Sequence, residues 1–106
     1  MDFTFLEKLA ILKAVDEVMM ADNFVDIGEA AYLTQILEIF NLEIIVLNEA
    51  RKMNSNIATN ILREMNPEKK AMLYVMMREM ADADGDTDMK ELEIILSILQ
   101  ISGTIN

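Results

Sequence analysis

Two segments, 21-ADNFVDIGEAAYL-33 and 83-ADGDTDMKELEII-95, can be laid one over the other at an offset of 62 residues. Asp22 then falls on Asp84, Asp26 on Asp88 and Glu29 on Glu91, while Tyr32 meets Ile94 and Leu33 meets Ile95. In each copy an Asp followed three residues later by Glu is the capping-box signature that opens a helix. A long apolar stretch with helical spacing precedes each copy. The pattern therefore reads twice as helix, acidic turn, helix. It predicts an all-α chain with pseudo-two-fold packing of two units, over about 5–40 and about 67–101.

Working outward, the apolar residues keep helical spacing almost everywhere, and strand signals are absent. Thr4 and Glu7 form a capping box that starts a helix through Leu9, Leu12, Val15 and Met19. The second helix runs from Asp26 through Ala30, Leu33, Ile36, Leu37 and Phe40, and Asn41 closes it. A third helix carries Ile44, Ile45, Leu47, Ala50 and Met53 on its apolar side. Asn54-Ser55-Asn56 is a turn and cap before a short helix over 57–65. Asn66-Pro67 reads as cap and first-turn proline of a fifth helix through Met72, Leu73, Met76, Met77 and Met80. A sixth, capped by Asp88 and Glu91, carries Leu92, Ile95, Leu96 and Leu99 to Gly103, which suits a helix end. The expectation is a bundle of about six helices with short connections. The first, fifth and sixth are apolar on more than one face, so some of them should be central.

The 106 residues, 1–106, suffice for a single domain and for a core without disulfides. The chain holds no Cys and no His, which removes thiolate and imidazole zinc sites, cysteine nucleophiles and any Ser-His-Asp triad. With no nucleophile and no cleft in view, a non-enzymatic role is expected. The formal charge of −10 argues against nucleic acid as a partner. That charge is uneven: residues 1–50 hold ten acidic and two basic side chains, residues 51–70 hold two and five, and residues 71–106 hold seven and two. Such a distribution suits docking to a protein partner or to a second copy, a homodimer; an ordinary solvated surface suits it as well. The first twenty residues carry interspersed acids and no small-residue cleavage site, and no apolar run is long enough for a membrane span. A cytoplasmic location is expected.

Capping alone accounts for Asp26, Glu29, Asp88 and Glu91, at about 1 kcal/mol per cap. It does not account for Asp22, Asp82 and Asp84, which fall at or just beyond helix C-termini. Acids there oppose the macrodipole by about 0.3–1 kcal/mol each. Asp86 adds a further like charge. A bound cation, a basic side chain or a partner would relieve the repulsion, although water also screens exposed charge. The candidate ligand set is therefore Asp22, Asp26, Glu29, Asp82, Asp84, Asp86, Asp88 and Glu91. These are hard oxygen donors, suited to a divalent cation such as Ca²⁺, Mg²⁺ or Mn²⁺. An EF-hand register places Asp82, Asp84 and Asp86 at positions one, three and five and Glu93 at position twelve, but Thr87 stands where that loop needs glycine, and the first turn does not fit at all.

The stretches MADNFVDIGEAAYL and MADADGDTDMKELEIIL resemble the TerB-like tellurite-resistance family, which includes the N-terminal domain of DjlA-type J-proteins. That family repeats Ala-x-Asp-Gly, a few residues, then Glu, at the junction of two helices, twice in an all-α domain. Here 83–91 matches, and 21–29 matches with Asn23 in place of the glycine. The segment MNPEKKAMLYVMMREMADADG also looks like the family's helix entering its second turn. The resemblance implies a helical bundle with an acidic, cation-binding surface, a bacterial stress-response role and a place in a larger, membrane-associated complex. Residue by residue it carries over Asp22 and Glu29 from the first turn and Asp84 and Glu91 from the second.

Two further features have ordinary explanations. Met72, Met76 and Met80 stand at steps of four, where thioethers serve as core filling far more often than as soft-metal ligands. Arg51, Lys52, Arg63, Lys69 and Lys70 could form a basic patch over the third to fifth helices, or a solvated face.

Overall fold

The capping residues set the helix boundaries. The computed structural model describes residues 3–21, 27–83 and 96–103. At the start of α1, Phe5–Ala21, the Thr4 N–H donates to Glu7 Oε1 at 2.7 Å, and the Glu7 N–H donates to Thr4 Oγ1 at 3.1 Å. This is the reciprocal capping box expected from sequence. The second helix, α2, spans Ile27–Ile39. It ends in a Schellman motif: Leu42 N–H bonds the Leu37 carbonyl, Asn41 N–H bonds that of Glu38, and Asn41 takes φ +57°. Then come α3, Ile45–Lys52, and α4, Ser55–Glu64, whose Asn54 cap accepts from the N–H groups of Asn56 and Ile57. In α5, Pro67–Ala83, the Asn66 side chain accepts from the Lys69 N–H at 2.8 Å. Residues 96–101, called α6 below, are helical and stop at Gly103 with φ +77°. The fold is all-α, with six helices and no strand among the described residues.

α1 is the central helix. Ala10, Ile11, Leu12, Ala14, Val15 and even Asp16 are buried, so it is enclosed on most of its circumference. α2, α3 and α4 all pack on it. Leu33, Ile36 and Leu37 of α2, Leu73 and Met77 of α5, and Ile98 and Leu99 of α6 complete one apolar core. Met72 and Met76 pack against that core from its margin, as expected for thioethers filling gaps. The radius of gyration is 12.6 Å, normal for a single globule of this length. Among the described residues no helix is long and apolar enough to cross a membrane.

Some apolar positions lie elsewhere than their spacing suggests. Ile44 and Ile45 are 73% and 64% exposed, because α3 turns Leu47 and Ala50 inward instead. Leu96 is exposed while Ile98 and Leu99 are buried. In short helices a stripe can be read in more than one register, and tertiary packing selects one.

The repeat reaches well beyond the acidic segments. α1 and α5 are each 17 residues long, and they begin and end 62 residues apart, as do their caps Thr4 and Asn66. At that offset the buried pairs are Phe3 and Met65, Ile11 and Leu73, Val15 and Met77, Ile36 and Ile98, Leu37 and Leu99. The two positive-φ residues that close α2 and α6, Asn41 and Gly103, also coincide. Most telling is the ion pair Lys69 Nζ to Glu7 Oε1 at 2.7 Å. These two residues are each other's counterparts, separated by 62 in sequence. The contact therefore joins equivalent positions of the two units.

Candidate functional site

The acidic turns are positioned by this duplicated frame. α1 ends at Ala21, immediately before Asp22, and α5 ends at Ala83, immediately before Asp84. Neither helix has a basic residue in its last turn. The negative end of each macrodipole is thus followed directly by carboxylates with no compensating cation from the same helix. Glu29 is the third residue of α2, and Asp82 lies in the last turn of α5. Asp22, Asp26, Asp84, Asp86, Asp88 and Glu91 fall outside the described residues, as do Thr87 and Glu93 of the EF-hand register. Among the described residues, no three acidic side chains are grouped to hold a metal.

Some of the basic residues of the middle segment have partners within the molecule. Arg51 of α3 forks onto buried Asp16 of α1, with Nε to Oδ2 at 3.2 Å and Nη2 to Oδ1 at 3.1 Å. Lys69 meets Glu7, and Arg63 Nε donates to the Ile101 carbonyl in the last turn of α6 at 3.2 Å. Three of the five basic residues in the middle segment therefore tie it to the first and last helices. Lys13 adds a bond to the Arg51 carbonyl and an i,i+4 contact with Glu17, which itself accepts from the Ser55 hydroxyl at 2.6 Å. Sequence reading missed these pairs. Their signal was present: Asp16 interrupts the apolar run ILKAVDEV at a position facing the core.

Glu7 carries the one clear shift in proton affinity among the described groups. Burial pushes its carboxyl up, while the Lys69 ammonium and the Thr4 bonds together outweigh burial and hold it below its ordinary value of 4.5. At the same end of the molecule Lys8 reaches the Phe40 carbonyl at 3.4 Å and lies over the Phe40 ring. Its counterpart in the repeat, Lys70, borders an open cavity of about 310 Å³ with Pro67, Ala71 and Gly103.

No family model matches the chain, and no curated protein matches it. Among solved structures, a protein of unknown function from Porphyromonas gingivalis W83 has a similar fold, with a TM-score of 0.71 and 24% identity over 97% of this chain and 81% of that one. At that identity the likeness concerns the fold alone.

Proposed function

We propose that the chain is a non-enzymatic, TerB-like stress-response module, acting in the cytoplasm, whose two acidic turns hold a hard divalent cation. The observation that carries this reading is the placement of acids directly after two helix C-termini in equivalent units. α1 and α5 end 62 residues apart, lack basic residues in their last turns, and run into Asp22 and into Asp82–Asp84. A cation there would be held by Asp22, Asp26 and Glu29 from one unit and by Asp82, Asp84, Asp86, Asp88 and Glu91 from the other. Carboxylates alone favour calcium, magnesium or manganese over softer metals. The TerB-like resemblance points the same way.

Titration of each ion, followed by thermal unfolding, tests the reading. An ion bound only by the folded chain, at ~100 times its dissociation constant, adds about 2.7 kcal/mol. That is a rise of roughly 10 °C for a domain of this size. Asp84→Asn should remove most of it. A rise no larger than that given by matched ionic strength, for all three ions, would refute the cation site.

A second reading, an adaptor that meets a basic protein partner or a membrane-associated complex through its acidic surface, is favoured by the internal pairing of Arg51, Arg63 and Lys69. Arg51 and Lys69 each neutralise one acid of α1, so the whole net charge of −10 rests on the remaining side chains. Binding to a basic partner would then weaken with salt and with neutralisation of Asp82, Asp84 and Asp88, whereas binding indifferent to both would count against it.

A further inference from the structure

One face of α5 carries a small apolar centre and a particular order of charge. Glu68, Ala71, Val75 and Arg78 are spaced three, four and three residues apart, and Asp82 follows four further on. That is the alternating a and d spacing of a helix seam, with Glu68, Val75 and Asp82 at one kind of position and Ala71 and Arg78 at the other. Val75 is 50% exposed, and Glu68, Ala71 and Arg78 are exposed as well. In the first unit the counterparts of Val75 and Arg78 are Lys13 and Asp16, and both bond Arg51 of α3. A helix therefore packs across this face in one copy of the repeat. Among the described residues, neither Glu68 nor Arg78 belongs to an ion pair. Arg78 is nonetheless ordered: its Nη1 donates to the Tyr74 hydroxyl at 2.9 Å, and its guanidinium lies 5.8 Å from the Tyr74 ring centroid.

We propose that two copies of the chain pair through this face, α5 against α5 and antiparallel. The order of charge selects that occupant. In an antiparallel pair, positions of the first kind on one helix meet positions of the second kind on the other. In the register centred on Leu73, Glu68 of each copy stands opposite Arg78 of the other, and Ala71 stands opposite Val75. Two ion pairs then flank an apolar centre, where the small Ala71 lets the helices approach closely. The Asp82 position falls beyond the N-terminal end of the other α5, where the macrodipole is positive. A parallel pair would instead set Glu68 on Glu68 and Arg78 on Arg78. Sliding the antiparallel pair by one heptad sets Arg78 against Val75 or Glu68 against Ala71, so a charge faces an apolar residue in either direction. The contact is isologous, as a closed dimer requires. The net charge of −10 per chain opposes association at long range. At physiological salt the Debye length is about 8 Å, so distant acids are screened while pairs in contact at the seam are screened much less. The contact between Tyr74 and Arg78 lowers the entropy lost when Arg78 is fixed at the seam. One helix seam buries less than about 1,200 Å², the range of weak and reversible complexes. The inference does not depend on the acidic turns.

Sedimentation equilibrium and an amide-shift dilution series of the intact chain, up to millimolar concentration at physiological salt, test the pairing. The chain should dimerise, with concentration-dependent shifts along 68–78. Glu68→Arg and Arg78→Glu should each weaken self-association about tenfold or more, with the melting temperature of the dilute monomer unchanged. Mixed together, the same two variants should form a heterodimer at least as tight as the wild-type dimer, because one then carries arginine at both positions and the other glutamate at both. A dimer whose affinity neither replacement changes, or a pair of variants that fail to rescue each other, would overturn the proposal. A chain that stays monomeric at millimolar concentration would overturn it too, and would leave the face to a different protein.

Discussion

Replacing either member of the Asp16–Arg51 pair should destabilise the fold by unequal amounts, because the two ends of the pair see different surroundings. The Asp16 side chain is 10% exposed and the Arg51 side chain 50% exposed. Arg51→Met removes both bonds of 3.1 and 3.2 Å and leaves a carboxylate enclosed by the core with no guanidinium. An orphaned buried charge of this kind costs about 3 kcal/mol. Asp16→Asn keeps the shape and leaves an arginine that water can reach, at about 1 kcal/mol. At roughly 4 °C per kcal/mol, the expected losses in melting temperature are about 12 °C and about 4 °C. The double replacement Asp16→Leu with Arg51→Met should recover most of the larger loss, since a well-packed apolar pair is often as stable as a buried ion pair. Chemical denaturation and calorimetry of the four proteins give the answer. If Asp16→Asn costs as much as Arg51→Met, or if both lie within experimental error of zero, the Asp16 carboxylate is not held in a desolvated setting.

Other expectations follow from the same frame. Glu7 has a depressed folded value, so its contribution is fully present above the ordinary carboxylate value of 4.5 and is lost as pH falls through the lower folded value. Glu7→Gln should therefore be less stable than wild type at pH 7, with the gap closing in acid; a gap that widens below that ordinary value would contradict the assigned shift. Gly103→Ala should cost about 1–2 kcal/mol because of its positive φ, and Asn41→Gly should be neutral or stabilising by up to ~1 kcal/mol. Denaturant midpoints check both; a Gly103→Ala that costs nothing, or an Asn41→Gly that destabilises, would show that the two helix ends are not equivalent. Leu73→Ala and Ile11→Ala, counterparts with 0% exposure, should each cost about 2–5 kcal/mol; a loss below ~1 kcal/mol at either would remove it from the core.

What sequence reveals here is what lies within a few residues of itself. The caps at Thr4–Glu7, Asn54 and Asn66, and the helix ends at Asn41 and Gly103, are local hydrogen-bonding chemistry. Each was legible from neighbours no more than five residues away. The helical class was legible for the same reason. The repeat was visible only where its acids stand out, over 21–33 and 83–95. Its continuation through Ile11 and Leu73 or Ile36 and Ile98 is written in interchangeable apolar residues, which carry burial without a recognisable letter pattern. The adjacent pairs Met19-Met20 and Met76-Met77 obscured it, since Met77 corresponds to Val15. The ion pairs joining Arg51 to Asp16 and Lys69 to Glu7 bridge 35 and 62 residues, and nothing local specifies them. For that reason the uneven charge is visible in the sequence, while the ion pairs that engage part of it are not. Of the eight candidate ligands, Glu29 and Asp82 are placed on α2 and α5; the remaining six lie outside the described residues.

The cation site is most directly tested by a crystal structure of the chain grown in millimolar calcium. Expected is one ordered ion with carboxylate oxygens at about 2.3–2.6 Å, drawn from Asp22 and Glu29 of the first turn and from Asp84 and Glu91 of the second. Ordered turns that bind only water, with these four side chains directed apart, would contradict it.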